Sequence, residues 1–415
     1  MAAQERPKQT KTISFSFFFL YNNFMTFEEK DIIYPPVHPG TDRTFIRFYD
    51  GELDLNSIFY SAEKDTLPKR IFVTDTTVAS LASLKGFVDF FRGEDFSHPK
   101  IEAGFIGKRG KDILLILGAG EPFKTIESVL AIVKTALDAG GQRSAVFVGI
   151  GGGVITDMTA FAASIFKRGA HCELVPTTLL SMVDAAIGGK TGCDFDSYKN
   201  MIGSFFPAQK IHICPSFIES LPQHEYRSGM AEVVKTALLY SPELYEKLEK
   251  YPEILNDRKN PLVGEAIRIC VNAKAKVVEQ DLTEKNIRMQ LNLGHTFGHA
   301  LESMCGLGVV THGDGVAWGM ARAADLSQRL GLCTKEHANR VKSCLASFGW
   351  ETEPVHPEMK KKYGNNEEEI ARILLNAMKK DKKNSSDKIR FILQENVGET
   401  VITEVPEQDI LAVLK

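Results

Sequence analysis

Ser144-Ala145-Val146-Phe147-Val148-Gly149-Ile150-Gly151-Gly152-Gly153-Val154-Ile155-Thr156-Asp157 decides the fold class. Its first half is a short apolar run that reads as a buried strand. Three glycines follow and open a helix. Glycine permits close backbone approach, and a helix N-terminus offers free N–H groups to a phosphate. The spacing is not the G-x-G-x-x-G of the usual dinucleotide fingerprint, so the run alone reads equally as a tight strand-to-helix turn. Working outward, 70–75 and 112–117 are further strand-like runs, and 125–139 has amphipathic helical spacing stopped by Gly140-Gly141. Strands alternating with helices predict a parallel α/β sheet, whose ligands sit at the carboxyl ends of strands. Two polar loops fall at such ends: Gly118-Ala119-Gly120-Glu121-Pro122-Phe123-Lys124 and Pro176-Thr177-Thr178.

Beyond about residue 215 the texture changes. Helical patterns take over at 242–250, 262–280 and 317–330, with a late hairpin expected at 389–403. The reading is therefore a tail at 1–43, an α/β domain at 44–213 and a mainly helical domain at 214–415. At the N-terminus, Arg6, Lys8 and Lys11 precede a short apolar run, 13–20, that resembles part of a signal peptide. It has no small-residue cleavage site and is too short to span a membrane as a helix. A poorly ordered tail, or translation from Met25, is the expectation.

The helical half carries the metal chemistry. In Leu291-Asn292-Leu293-Gly294-His295-Thr296-Phe297-Gly298-His299 two histidines stand four residues apart, on one face of a helix. His312 follows, and Met230-Ala231-Glu232-Val233-Val234-Lys235 puts a carboxylate and an amine on one face. Two or three imidazoles with one carboxylate suit a divalent cation and leave room for substrate oxygens. A pair of histidines alone would read as a satisfied core pair. Between the halves, Lys190, Lys199 and Asn200 lie amid glycines, with Arg168 upstream, and suit an anionic ligand.

Composition narrows the classes. The chain has 415 residues, 43% hydrophobic and 25% charged, with a formal net charge of −3, which offers no basic surface for nucleic acid. Seven scattered cysteines without a C-x-x-C pair read as free thiols in a reducing compartment.

Taken together, Gly-Glu-Pro-Phe-Lys at 120–124, the glycine run with Asp157, Pro-Thr-Thr-Leu-Leu at 176–180, Val-Asp-Ala-Ala-Ile-Gly-Gly-Lys-Thr at 183–191, Gly-Met-Ala-Glu-Val-Val-Lys at 229–235 and 291–299 resemble the sugar-phosphate cyclases, most nearly the 3-dehydroquinate synthase family. The likeness runs over roughly 70–400 in order. It implies a Rossmann-like NAD-binding domain followed by a mainly α-helical metal-binding domain. It implies a homodimer in the cytoplasm, with Arg168 reaching the neighbouring site. It implies Zn2+ or Co2+ on Glu232, His295 and His312. Substrate-site positions fall on Asp184, Lys190, Lys235, Lys274, Arg288, Asn292, His299, Lys382 and Asn200. Cofactor positions fall on Asp75, Glu121, Lys124, Gly151, Gly152, Gly153, Asp157, Thr177, Thr178, Lys190 and Lys199.

The implied reaction cyclises 3-deoxy-D-arabino-heptulosonate 7-phosphate to 3-dehydroquinate with loss of phosphate, in the shikimate pathway to aromatic amino acids. Oxidation of one alcohol acidifies the neighbouring C–H, phosphate leaves by elimination, and the hydride is returned before ring opening and aldol closure. Several positions depart from the pattern. Gly192-Cys193-Asp194-Phe195-Asp196-Ser197-Tyr198-Lys199-Asn200 has an acidic, aromatic insert, Asp281-Leu282-Thr283-Glu284-Lys285-Asn286 keeps part of an acidic motif, Asp314 stands where Glu is usual, and Met158-Thr159-Ala160-Phe161 lacks the usual glycine after Asp157. The insert resembles valiolone-type cyclases acting on sedoheptulose 7-phosphate, which stay open as the nearest alternative. A metal-dependent polyol dehydrogenase and a non-catalytic binding protein are more distant ones.

Overall fold

The computed structural model describes residues 27–33, 42–51, 54–60, 67–95, 104–196, 198–306, 308–381 and 389–415. Among the described residues eleven strands build the first half: β1 (Phe27–Ile33), β2 (Arg43–Tyr49), β3 (Arg70–Asp75), β4 (Arg92–Asp95), β5 (Phe105–Arg109), β6 (Asp112–Leu117), β7 (Val146–Gly151), β8 (His171–Pro176), β9 (Lys190–Phe195), β10 (Tyr198–Phe205) and β11 (Lys210–Ile213). Nine of them form one sheet in the order β1-β2-β11-β8-β7-β3-β6-β5-β4. The inner six pair in parallel, and antiparallel strands close both edges. The inner strands are continuous apolar runs because helices cover both faces. Phe72, Val73, Leu114, Leu115, Phe147 and Val148 are all fully buried. The Ile126–Asp138 helix starts where Thr125 Oγ1 accepts the Ser128 N–H and ends before Gly140, which takes a positive φ of 70°.

Residues 27–33, inside the stretch expected to be a tail, instead form β1. It pairs along its length with β2 and buries Ile32 completely. Its run, Phe-Glu-Glu-Lys-Asp-Ile-Ile, reads poorly as a strand because an edge strand needs only one buried residue. Its charges have partners elsewhere: Lys30 Nζ donates to Asn272 Oδ1 at 2.6 Å, and Glu28 pairs with Arg268. Residues 1–26 lie outside the described residues.

The sheet ends at Ile213, and helices follow at Gln223–Tyr240, Pro242–Lys250, Pro261–Gln280, His295–Cys305, His312–Arg329, Lys335–Ser347 and Glu367–Asp381. The hairpin expected near 389–403 is present as β12 (Ile389–Asn396) and β13 (Glu399–Val405). Phe391 packs its ring 4.9 Å from that of Phe297 beneath the His295–Cys305 helix. Among the described residues no helix is long and apolar enough to cross a membrane.

Candidate active site

Glu232 sits mid-way along the Gln223–Tyr240 helix, fully buried, while His295 and His312 each open a helix. One ligand atom from each lies within 4.8 Å of the others. His295 Nε2 is 3.8 Å and His312 Nε2 is 3.6 Å from Glu232 Oε1. Those distances are too long for hydrogen bonds. Neither Glu232 carboxylate oxygen has a hydrogen-bond partner, although Lys235, one turn on, ion-pairs with Oε2. A buried carboxylate so poorly satisfied is costly, and a cation shared by the three groups would satisfy it. The residues therefore fit a divalent metal.

The electrostatics agree. Burial, then Lys235 and the other two histidines, hold the His295 ring well below its usual pKa, so it stays a neutral donor. For His312 burial resists charging, but the carboxylates of Glu232 and Glu302 outweigh it and push the ring up to about 10. Two carboxylates thus call for positive charge at this ring, which a dication would supply.

Missing side chains set the spacing. A Cβ on Gly319 would meet Gly294 O at 2.0 Å, one on Gly298 would meet Gly315 O at 2.7 Å, and one on Gly313 would meet Ser228 Cα at 2.4 Å. The three helices bearing the ligands therefore touch backbone to backbone.

Beside this cluster lies a second, cationic one. Asp184 rides on a wide π-type turn, Ser181–Ala185, where the sheet half meets the helices. Lys274 Nζ, from the Pro261–Gln280 helix, donates to both Asp184 Oδ1 and its carbonyl oxygen at 2.6 Å. Burial pulls Lys274 down to about 8, with Asp184 opposing. Burial also resists ionisation of Asp184, but Lys274 and then Lys235 outweigh it and hold the carboxyl well below its usual range. Arg288 is fully buried and Nη1 donates to the carbonyls of Gly188, at 2.8 Å, and Leu282, at 2.5 Å. Gly188 has φ 92°, and a Cβ there would stand 2.9 Å from Arg288 Nη2. Asn292 Nδ2 donates to Glu284 Oε1 at 2.7 Å, and Lys190 pairs with the other Glu284 oxygen. His299 packs its ring 5.2 Å from that of His295 and 6.1 Å from that of His312.

The sheet half contributes a third group at the carboxyl ends of β8, β7, β3 and β6, where Thr177, Gly151, Asp75 and Gly118 stand side by side. A Cβ on Gly151 would meet the Ile155 side chain at 2.5 Å and one on Gly152 the Thr178 methyl at 3.0 Å, so glycine at these two positions keeps the turn tight. The Gly153–Ile165 helix then points its N-terminus at the same place. Lys124 Nζ bridges Asp157 Oδ2 at 2.7 Å and Asn200 Oδ1 at 2.6 Å. Asp75 caps a short helix through the Val78 N–H, Thr177 N donates to Gly151 O, and Thr178 Oγ1 donates to Ser181 Oγ.

The donors read together from one glycine-rich stretch are parted here. The acidic insert falls at the end of β9 and the start of β10, which pair as a hairpin, and Asn200 and Lys199 lie on its second strand. Asn200 turns to Lys124 while Lys199 reaches Glu302 Oε2 at 3.2 Å. Arg168 is exposed on the turn before β8, with φ 66°. Lys382 lies outside the described residues. Two acids absent from the expected set hold expected residues in place: Glu284, and Glu302, whose Oε1 is 3.0 Å from His312 Nδ1. Glu302 falls three residues after His299 and seven after His295, a helical spacing that could have flagged it.

Two adjoining family models match, that of the 3-dehydroquinate synthase N-terminal domain over 114–228 and that of its C-terminal domain over 229–384. The 3-dehydroquinate synthase of Nitrosospira multiformis is 36% identical over 349 residues, 83% of this chain and 88% of the relative. This chain belongs to the 3-dehydroquinate synthase family. The Synechococcus sp. member is 40% identical over 317 residues, 76% of this chain and 82% of its own. Among solved structures, the 2-epi-5-epi-valiolone synthase of Streptomyces hygroscopicus, with NAD+ and Zn2+ bound, aligns with a TM-score of 0.70 and 26% identity, covering 89% of this chain and 95% of its own.

Proposed function

We propose that this chain catalyses the family's reaction, the NAD- and metal-dependent cyclisation of 3-deoxy-D-arabino-heptulosonate 7-phosphate to 3-dehydroquinate with phosphate elimination, a lyase step of the shikimate pathway. The observation that carries the reading is the buried, hydrogen-bond-starved Glu232 facing two imidazoles, beside a cluster of lysines and Arg288. Glu232, His295 and His312 would hold Zn2+ or Co2+, which supplies Lewis-acid polarisation of substrate oxygens. The loops at Gly118–Lys124, Gly151–Asp157 and Thr177–Thr178 would hold NAD, which supplies a hydride acceptor recovered at each turnover.

The chain's own residues do the holding and the proton work. Lys190, Lys274, Arg288, Asn292 and Lys382 bind the phosphate and carboxylate of the substrate. Positive charge there favours the charge that grows on the leaving phosphate. Asp184 fixes Lys274 through its carbonyl oxygen and Oδ1 and keeps the amine aimed. Lys235 and His299 stand beside the metal group, placed to bind or to move protons. Arg168, exposed on its turn, completes the site of the neighbouring subunit in a homodimer. The two units divide at Ile213, and a cytoplasmic setting fits seven free cysteines, six of them buried.

The test offers two substrates side by side, the keto-acid heptose phosphate and sedoheptulose 7-phosphate, with NAD and Zn2+. Phosphate release from the first, without accumulation of NADH, is the expected result. Phosphate from the second alone would move the chain to the valiolone-type cyclases, whose solved member shares its fold. Net NADH without phosphate would make it a dehydrogenase.

A further inference from the structure

Glu302 is engaged at both ends and belongs to none of the groups assigned above. Its side chain is 11% exposed, on the His295–Cys305 helix. Oε1 stands 3.0 Å from His312 Nδ1, and Oε2 stands 3.2 Å from Lys199 Nζ. An ionised carboxylate can only accept, so the imidazole keeps a proton on Nδ1, and Nε2, which faces Glu232 and His295, is the nitrogen left to give up its proton to a metal. That leaves the tautomer a metal requires. Gly315 makes the approach possible, since a Cβ there would stand 3.2 Å from Glu302 Oε1. Lys199 in turn comes from the β9–β10 hairpin of the sheet half and lies 3.9 Å from Glu121 Oε1, in the glycine-rich loop after β6.

We propose that Glu302 is a positioning residue that orients His312 for the metal with one oxygen and fastens the cofactor-side hairpin to the metal-bearing helix with the other. The inference rests on the metal and NAD reading above. One carboxylate then joins the two sites, so occupancy of one is felt at the other. Partners in the shell outside a metal's ligands typically contribute 10–100-fold to metal affinity. A coupling between two sites is reciprocal, commonly on the order of 5–150-fold.

The experiment titrates the full chain, stripped of metal, with Zn2+ against a chromophoric chelator, and separately titrates NAD with and without Zn2+. Glu302→Ala, Glu302→Gln and Lys199→Met are compared with wild type, and thermal melts check folding. In wild type one Zn2+ binds per chain and tightens NAD about fivefold or more. Glu302→Ala weakens Zn2+ by about 10–100-fold and abolishes the coupling. Glu302→Gln keeps an acceptor for His312, so it restores Zn2+ affinity to within a few-fold of wild type, yet not the coupling. Lys199→Met keeps Zn2+ affinity and loses the coupling.

Unchanged Zn2+ affinity in Glu302→Ala overturns the proposal while leaving the functional reading intact. So does persistent coupling in Glu302→Gln. Two Zn2+ per wild-type chain and one in Glu302→Ala would make Glu302 a ligand of a second ion with His299 and His312 instead. A wild-type chain that binds neither Zn2+ nor NAD overturns the functional reading and this inference with it.

Discussion

Two histidine–carboxylate clusters in this chain look alike in composition and differ in satisfaction. In the sheet half, His212 on β11 has Tyr49 OH at 2.8 Å from Nδ1 and Glu173 Oε2 at 2.9 Å from Nε2. Lys210 reaches the other Glu173 oxygen at 3.3 Å. Burial lowers the His212 pKa and pushes Tyr49 up to about 12. A neutral ring therefore donates to Glu173 and accepts from the tyrosine, and every ring nitrogen is used. Around Glu232 Lys235 meets Oε2, but Oε1 is left open, with two imidazole nitrogens facing it across gaps of 3.6 and 3.8 Å. Closed polar networks hold a fold together, whereas an open buried one is a place for a ligand.

Breaking the open cluster should give the largest effect on turnover and little on folding. His295→Ala is expected to lose metal and to cut activity by about a hundredfold or more, the order seen when a strong electrostatic stabiliser is removed. Its melting temperature without metal should stay at the wild-type value or above. Full metal occupancy by elemental analysis, in a folded His295→Ala protein, would remove His295 from the ligand set.

The closed cluster should behave in the opposite way. His212→Leu strands Glu173 and Tyr49 and is expected to destabilise the chain by about 2–3 kcal/mol, read by urea unfolding, with activity per folded molecule within twofold. A large loss of turnover in the folded variant would erase the contrast. The sign with pH follows from Glu173. Burial opposes its ionisation, but His212 outweighs that and holds it down to about 2. Its contribution is therefore complete above the ordinary carboxylate range and is lost as pH falls toward 2.

Lys274 sharpens the comparison by a smaller, graded effect. With the amine pulled down to about 8, substrate affinity should weaken as pH rises through 8, by at most about tenfold per unit. Stability moves the other way. Between about 8 and the ordinary lysine value of 10.5 the unfolded chain holds a proton that the folded chain lacks, so this group's contribution rises with pH. Lys274→Met should flatten both limbs. A KM profile across pH 7–9.5 that is unchanged in that variant would assign the limb to another group.

How much of this was legible beforehand depended on whether the cause was local. β3, β6 and β7 announce themselves as unbroken apolar runs, and the loops at their ends carry the glycines. The cluster of Glu232, His295 and His312 is readable because three motifs name it, although the residues come from three helices. Lys199 and Asn200 are not separable in a sequence that shows them only as neighbouring polar donors amid glycines. On the bulged strand β10 the first turns to Glu302 and the second to Lys124. Glu302 meets His312 ten residues on, and its helical spacing from His295 and His299 was the one local hint of it, whereas Glu284 acts through Lys190, ninety-four residues away, and no local pattern reports such a meeting. β1 escaped because an edge strand with one buried side chain has no alternation to display.

The glycine contacts behind the ligands carry a further consequence. Gly294, Gly298, Gly313 and Gly319 work as a gauge block: with no atom between the backbones, the separation of the two imidazoles is machined by main chain rather than adjusted by side chains. A single methyl at 319 would be a shim of about the wrong thickness for any cation. A survey that scores only lost activity would rank such glycines with the ligands themselves, though none of them touches the chemistry.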